Sequence, residues 1–344
     1  MMGPEPSVFV VVLNWNALGD TIECLESLRH VTYRGQLQIV VVDNGSEDGS
    51  PATLRSRFPW VRLIENGRNL GYTGGNNVGL RYALDEGAEY TWLLNNDTTV
   101  DPDSLSCLVR AGETTKRVAL LSPRVWLPGR ADVYWAGTVL DVAQRKFVDV
   151  VAAAKRGMPA PEGPLLLAGT GMLIKRAAVE TVGFLEDRYF AYVEDFDYSL
   201  RAIKAGMRTC VVHDARILHT RSRSLGYTSP LRQYLITRNQ YLFWRSHLGR
   251  EWTRREMGRR IAKTLREAEE WGREGRSDMF GACMDAVWDA LRGHFGDLSR
   301  KGSMPCLLRT VLAWHPYLWI LLLEGRYGEV IAKIGARMGE RRGR

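Results

Sequence analysis

Cysteine is scarce, with five in 344 residues, at positions 24, 107, 210, 283 and 306. The number is odd, and no two stand in a C-x-x-C or Cys/His metal spacing. A disulfide framework and a structural zinc site are thereby excluded, and reduced thiols in a cytoplasmic protein are expected. Long apolar runs are also lacking. The N-terminus, MMGPEPSVFVVVLNWN, has neither the basic flank nor the cleavage site of a secretory signal. The longest later stretch, 312–323, contains His315 and Pro316 and falls short of the ~20 residues that span a bilayer. No transmembrane helix is expected. Internal repeats and low-complexity tracts are absent.

What is present suits a globular chain with a substantial core, since 45% of residues are hydrophobic and 25% charged. The length suggests two domains, or one large domain with an appendage. Charge is unevenly spread: residues 1–225 hold 25 Lys and Arg against 26 Asp and Glu, and residues 226–344 hold 22 against 13. The second part is therefore net +9. It also carries Trp244, Trp252, Trp271, Trp288, Trp314 and Trp319. Tryptophan beside arginine suits an anionic membrane surface, and a helical packing or homodimer region is the competing expectation. Nucleic acid is not expected as a partner.

The first 125 residues alternate in a βα rhythm. The run 8–13 predicts a strand buried on both faces, and 37–42, 61–64 and 90–94 predict three more strands. Asp20, Ser50-Pro51 and Asp101-Pro102 predict helix starts, and 75–86 predicts a further helix. The pattern implies a doubly wound, mostly parallel sheet with helices on both faces. Residues 126–164 are irregular. Residues 165–174 predict a strand pair around a Gly-Thr-Gly turn, 195–205 a helix and 209–212 a strand. Helical, Arg- and Trp-rich sequence follows, which places a domain boundary near 225.

Ligands of such sheets bind beyond the carboxyl ends of the strands. Those ends read Asn14-Trp15-Asn16, Asp43-Asn44-Gly45-Ser46, Glu65-Asn66 leading into a 69–77 segment, and Asn95-Asn96-Asp97. Asp43 can accept from the N3–H of uracil or thymine, or simply form an Asx turn. Gly71, Gly74 and Gly75 would let backbone approach a diphosphate at a helix N-terminus. Asp97 offers a hard carboxylate suited to Mg2+ or Mn2+. Glu194, Asp195 and Asp197 crowd one helix start, more acid than dipole compensation needs. His219 follows a short strand.

Taken together, VVLNWN, VVDNGSEDGS, ENGRNLGYTGGNNVG, LLNNDTTVDPD, GTGMLIKR, FAYVEDFDYSLRAIKAG and the later LHT resemble the family-2 glycosyltransferases of the GT-A fold, in particular a bacterial rhamnosyltransferase-like branch. The resemblance covers roughly residues 7–223. TRNQYLFWR, further on, is similar to a segment often found after the catalytic domain. The resemblance implies a Rossmann-like α/β domain over 1–225 and a helical appendage over 226–344. It implies a nucleotide-sugar donor held by Asn14, Asp43, Gly71, Gly74, Gly75, Asn76 and Asn96, a metal on Asp97 and His219, and Asp195 as base. Glu194 and Asp197 would stand on the acceptor side. The first position of the metal motif is Asn95 where the family has Asp.

The implied chemistry is inverting transfer of a sugar from dTDP-rhamnose or a UDP-sugar to a hydroxyl of a glycan or lipid-linked saccharide, at the inner face of the cell membrane. Two other classes compete. An NAD(P)-dependent oxidoreductase would need a glycine-rich turn after the first strand, where Asn14-Trp15-Asn16 stands. A non-catalytic nucleotide-sugar-binding protein would have no use for Asp97, Asp195 and His219 together.

Overall fold

The structure, a computed structural model, describes residues 5–220, 229–306 and 308. The chain divides into two compact units, 1–224 and 225–344.

In the first unit the chain runs β1 (Val8–Asn14), α1 (Leu18–Leu28), β2 (Leu37–Asp43), α2 (Ser50–Arg57), β3 (Arg62–Glu65), α3 (Gly71–Asp85), β4 (Tyr90–Asn95), β5 (Thr98–Val100), α4 (Ser104–Thr114) and β6 (Val118–Trp126). It continues through β7 (Thr138–Asp141), β8 (Lys146–Asp149), α5 (Val150–Lys155), β9 (Leu165–Leu166), β10 (Gly171–Lys175), α6 (Arg176–Val182), α7 (Glu194–Lys204) and β11 (Arg208–His219). Eight strands form one sheet in the order β3-β2-β1-β4-β10-β6-β11-β5, and β8-β7-β9 form a small second sheet. β10 runs antiparallel between β4 and β6, and β5 runs antiparallel to β11. The remaining pairs of the large sheet are parallel. Val8, Val10, Val11, Val12, Val40, Val41 and Val42 are fully buried, as expected where helices cover both faces of a parallel sheet.

Several local expectations need correction. α1 begins before Asp20, and its first amide, on Leu18, donates to Asp48 of another loop at 3.2 Å. Ser50 lies inside α2 rather than capping it; left-handed Gly49 precedes it, and the Asp48 carboxylate takes the Ser50 amide at 3.0 Å. α4 starts at Ser104, after Asp101-Pro102 has made a turn. Residues 165–174 are no hairpin, because β9 joins the small sheet and β10 the large one. α3 begins four residues before its expected start, so the glycine-rich segment is helix rather than loop. Glycine is a poor helix former. Here tertiary packing overrides propensity, since a Cβ on Gly75 would stand 2.4 Å from Leu13 of β1.

In the second unit, α8 (Pro230–Leu248), α9 (Arg254–Arg273) and α10 (Ser277–Arg292) enclose a core that includes Tyr241, Ile261, Leu265, Cys283, Met284 and Val287. Ser229 caps α8 by accepting from Arg232 N at 3.2 Å, and Pro230 fills the first helical position. Inside, Tyr234 donates to Asp289 Oδ2 at 2.7 Å. Trp244 is buried, with the Arg260 guanidinium 3.9 Å from its ring centre. Trp252, Trp271 and Trp288 pack partly buried against the same core. These four tryptophans are therefore packing residues rather than an outward-facing belt. Trp314, Trp319 and the 312–323 stretch lie outside the described residues. No described helix is long and apolar enough to cross a membrane.

Candidate active site

The sheet register brings the polar strand ends together. Asn14 pairs with Asp43, Asp43 with Glu65, and Leu13 with Asn95. Asn14 is fully buried and donates to Asp43 Oδ2 at 2.7 Å. Its own carbonyl accepts from Thr21 Oγ1 at 2.7 Å, and Thr21 in turn accepts from Asn96 Nδ2 at 2.9 Å. The other Asp43 oxygen closes an Asx turn by accepting from Gly45 N at 3.1 Å and Ser46 N at 2.8 Å. A carboxylate has about four acceptor positions, so three protein donors leave one for a ligand. Trp15, the next residue after Asn14, is 38% exposed. A large apolar ring left in solvent at this edge could stack on a planar ligand.

Asn44 was read in the sequence only as one of several polar strand-end residues. It is buried and holds the following loop from four directions: Nδ2 donates to Asn69 Oδ1 at 3.1 Å and Gly71 O at 3.0 Å, and Oδ1 accepts from Asn66 Nδ2 at 2.9 Å and Leu70 N at 3.2 Å.

The N-terminus of α3 is not an open diphosphate cradle. Gly71 N is bonded to Asn69 Oδ1 at 2.8 Å and Thr73 N to Phe190 O at 3.1 Å. Gly71 has φ +75°, and a Cβ there would lie 2.5 Å from Phe190. Gly74 lies against Leu70 and Gly75 against Leu13 and Asn44. Asn76 is buried with its amide on Tyr72 O at 2.9 Å. Close packing accounts for all four of these residues.

Asp97 is buried in the turn between β4 and β5, and His219 is the last residue of β11. The antiparallel pairing of His219 with Thr98 sets them side by side, with His219 Nε2 3.1 Å from Asp97 Oδ1. A carboxylate and an imidazole nitrogen converging on one point fit a divalent cation. Among the described residues no group of three or more His, Cys, Asp or Glu is placed to hold an ion. The pair could supply two ligands to a metal that shares its sphere with substrate phosphates.

The Gly-Thr-Gly segment ties this corner to α7. Thr170 O accepts from Asn95 N at 3.0 Å, and Gly169 N donates to Asp195 Oδ2 at 2.9 Å. Tyr72 of α3 donates to Gly169 O at 2.7 Å. Phe196 N completes the Asp195 contacts at 2.8 Å. Desolvation by the surrounding protein pushes the Asp195 carboxyl up to about 6, against the pull of these amides. Burial also raises the Glu194 carboxyl well above the usual range, and the charges of Asp195 and Asp197 add to the effect. Tyr72 is raised by burial and then by the charges of Glu194, Asp195 and Asp97.

The backbone entering α7 is strained. Phe190, Tyr192 and Val193 have φ of 64°, 71° and 75°, a region that costs non-glycine residues of order 1–3 kcal/mol each. Asp197, expected on the acceptor side, is instead structural. It is buried, accepts from Tyr189 OH at 3.1 Å and pairs with Arg201 at 2.8 Å. Arg201 continues to the carbonyls of Phe184 and Val182. The Asp-x-x-x-Arg spacing is a helical i,i+4 pair visible in the sequence. Tyr72, Gly169 and Thr170 carried no local signal of their role.

The sequence profile of Glycosyl transferase family 2 matches residues 7–183, just over half of the chain. An N-acetylglucosaminyl-diphospho-decaprenol L-rhamnosyltransferase of Mycobacterium tuberculosis is 29% identical over 260 residues, covering 67% of this chain and 83% of that protein. The low-salt glycan biosynthesis hexosyltransferase Agl10 of Haloferax volcanii is 28% identical over 220 residues, covering 60% of this chain and 67% of the relative. The dTDP-rhamnosyl transferase RfbF of Shigella flexneri is 21% identical over 255 residues, covering 70% and 81%. Among solved structures, GalNAc-T7 with UDP, GalNAc and Mn2+ superposes with a TM-score of 0.57 at 16% identity, over 84% of this chain and 58% of that one. The mannosyltransferase PcManGT of Pyrobaculum calidifontis, in complex with GDP-Man and Mn2+, gives 0.50 at 18% identity, over 94% and 87%. The architecture is the GT-A fold, and nothing in it supports a nicotinamide-dependent oxidoreductase.

Proposed function

The chain belongs to Glycosyl transferase family 2, and we propose that it moves a sugar, with inversion, from a nucleoside-diphosphate donor to a hydroxyl of a glycan or lipid-linked acceptor. The observation that carries this reading is the 169–170 segment, which bonds Asn95 N on one side and Asp195 on the other. One short piece of backbone thereby holds the Asp97 corner and a carboxylate base in a fixed relation.

The donor base lies over Asn14 and Asp43, accepted by the remaining Asp43 position and stacked on Trp15. The acceptor hydroxyl attacks the anomeric carbon. As that C–O bond forms, the bond to the diphosphate breaks, the hydroxyl proton passes to Asp195, and the electron pair leaves with the nucleoside diphosphate. Asp97 and His219 would hold a Mg2+ or Mn2+ ion, which neutralises charge on the leaving diphosphate. Asn96, tied to α1 through Thr21, keeps the turn carrying Asp97 in place.

The names of two relatives make dTDP-rhamnose the first donor to try, with UDP-sugars next. One of those names includes a polyprenyl diphosphate, which makes a lipid-linked saccharide the first acceptor. The net +9 of residues 226–344 would draw such a protein to anionic lipid at the inner face of the membrane. Release of nucleoside diphosphate from a panel of sugar nucleotides, with a saccharide acceptor present, tests the proposal. Tight binding without turnover of any donor would favour a nucleotide-sugar-binding protein instead.

A further inference from the structure

Resting on that transfer reaction, we infer that Glu194 works as a neutral carboxylic acid, donating its O–H to an oxygen of a bound sugar and so orienting a saccharide beside the Asp195 base. Glu194 opens α7 and is 5% exposed. Its Oε2 is buried with no hydrogen-bond partner, and no cationic side chain pairs with it among the described residues. An ionised carboxylate buried this way is far costlier than the neutral acid.

The charged and titratable groups facing it only sharpen the point. Asp195 and Asp197 lie on its own helix, and Tyr72 faces it from α3. Arg201, on the same helix, is bound to Asp197 and to the carbonyls of Phe184 and Val182.

Only its own backbone amide favours the charged form of Glu194, and neighbouring Asp195 is better supplied. Gly169 N and Phe196 N both donate to it, and amide donors favour the charged form. Of two adjacent acids, one is therefore built to stay ionised and the other to keep its proton, a division that separates base from hydrogen-bond donor. The backbone before Glu194 is fixed by left-handed Tyr192 and Val193, so the side chain is held where it is at a conformational cost. A buried donor without an acceptor is rare in a folded protein. Sugar hydroxyl and ring oxygens, rich in lone pairs, supply the missing acceptor once substrate binds.

The test compares wild type with Glu194→Gln and Glu194→Ala. Infrared spectra of wild type at neutral pH should contain a protonated-carboxyl carbonyl band that Glu194→Gln removes. Because the glutamine amide still donates, Glu194→Gln should lose at least about tenfold less kcat/KM than Glu194→Ala does. Glu194→Ala should raise the KM of one substrate by about tenfold or more with little change in kcat, and which KM moves tells donor sugar from acceptor sugar. The inference is overturned if no band is lost, or if Glu194→Gln melts normally yet loses about a hundredfold in rate, which would mean the anion is needed. An alanine variant with both KM values unchanged also overturns it. Should Glu194→Ala fail to fold, the spectra and Glu194→Gln still decide. Failure of the transfer reading shows separately, as wild type turning over no sugar nucleotide while the infrared result stands.

Discussion

His219 closes a contact begun far earlier in the chain, its Nε2 resting 3.1 Å from the Oδ1 of Asp97. If that pair is a metal site, excess EDTA abolishes turnover and Mn2+ or Mg2+ restores it. His219→Ala should keep activity at saturating metal but need about ten- to a hundredfold more Mn2+ for half-maximal rate. Asp97→Ala should lose nearly all activity. Full turnover in EDTA would remove the metal from the proposal.

If Asp195 is the base, Asp195→Asn removes the proton acceptor while preserving size. Donor binding and thermal stability should be close to wild type, with kcat lower by about two decades or more. The acid limb of the pH profile should reflect the same group. Asp195 acts as base only when ionised, and its carboxyl sits at about 6. The rate should therefore fall as pH drops through that value, approaching tenfold per pH unit below it. A flat profile between pH 5 and 7, roughly one unit either side, would transfer the role to another group.

Much of this was visible before any coordinates. β1, β2, β3 and β4 fall within a residue of the expected runs at each end, and in β1 and β2 the unbroken Val, Ile and Leu reflect cover on both faces. β9 and β10 were misjudged for the converse reason: their composition says strand, but nothing local says which sheet each joins. Gly71 and Gly75 look like turn residues in sequence, and only the closeness of Phe190 and Leu13 explains them. Asp97 and His219 were linked by family resemblance rather than spacing. Tyr72 and Gly169, whose contacts are set by the folded sheet, could not be found.

At the same carboxyl edge, Trp15→Ala should leave stability near wild type, since the ring is substantially exposed. Nucleoside diphosphate binding should weaken by about 1–3 kcal/mol, the usual worth of base stacking on an aromatic ring. Asp43→Ala should weaken it at least about tenfold, or 1.4 kcal/mol. Calorimetry with UDP and dTDP measures both, and unchanged affinity in the two variants would move the base elsewhere.

Co-sedimentation with vesicles tests the basic C-terminal part. Binding should require anionic lipid and weaken as salt rises, the mark of an attraction screened over about 8–10 Å. Salt-insensitive binding would point to apolar insertion. No binding, with a stable dimer in solution, would favour a packing role.

β10 has a further bearing on how the protein is made. It fills the gap between β4 and β6, which both leave the ribosome before it, and β6 then still waits for β11 on its other side. Until 171–175 emerge, β4 has one unpaired edge and β6 has two, both strands being largely apolar. Such edges invite pairing with other chains. Synthesis stalled or truncated before β10 should thus yield aggregating fragments rather than a smaller folded domain, and the nascent chain should depend on chaperones from the translation of β4 until β11 has closed the sheet.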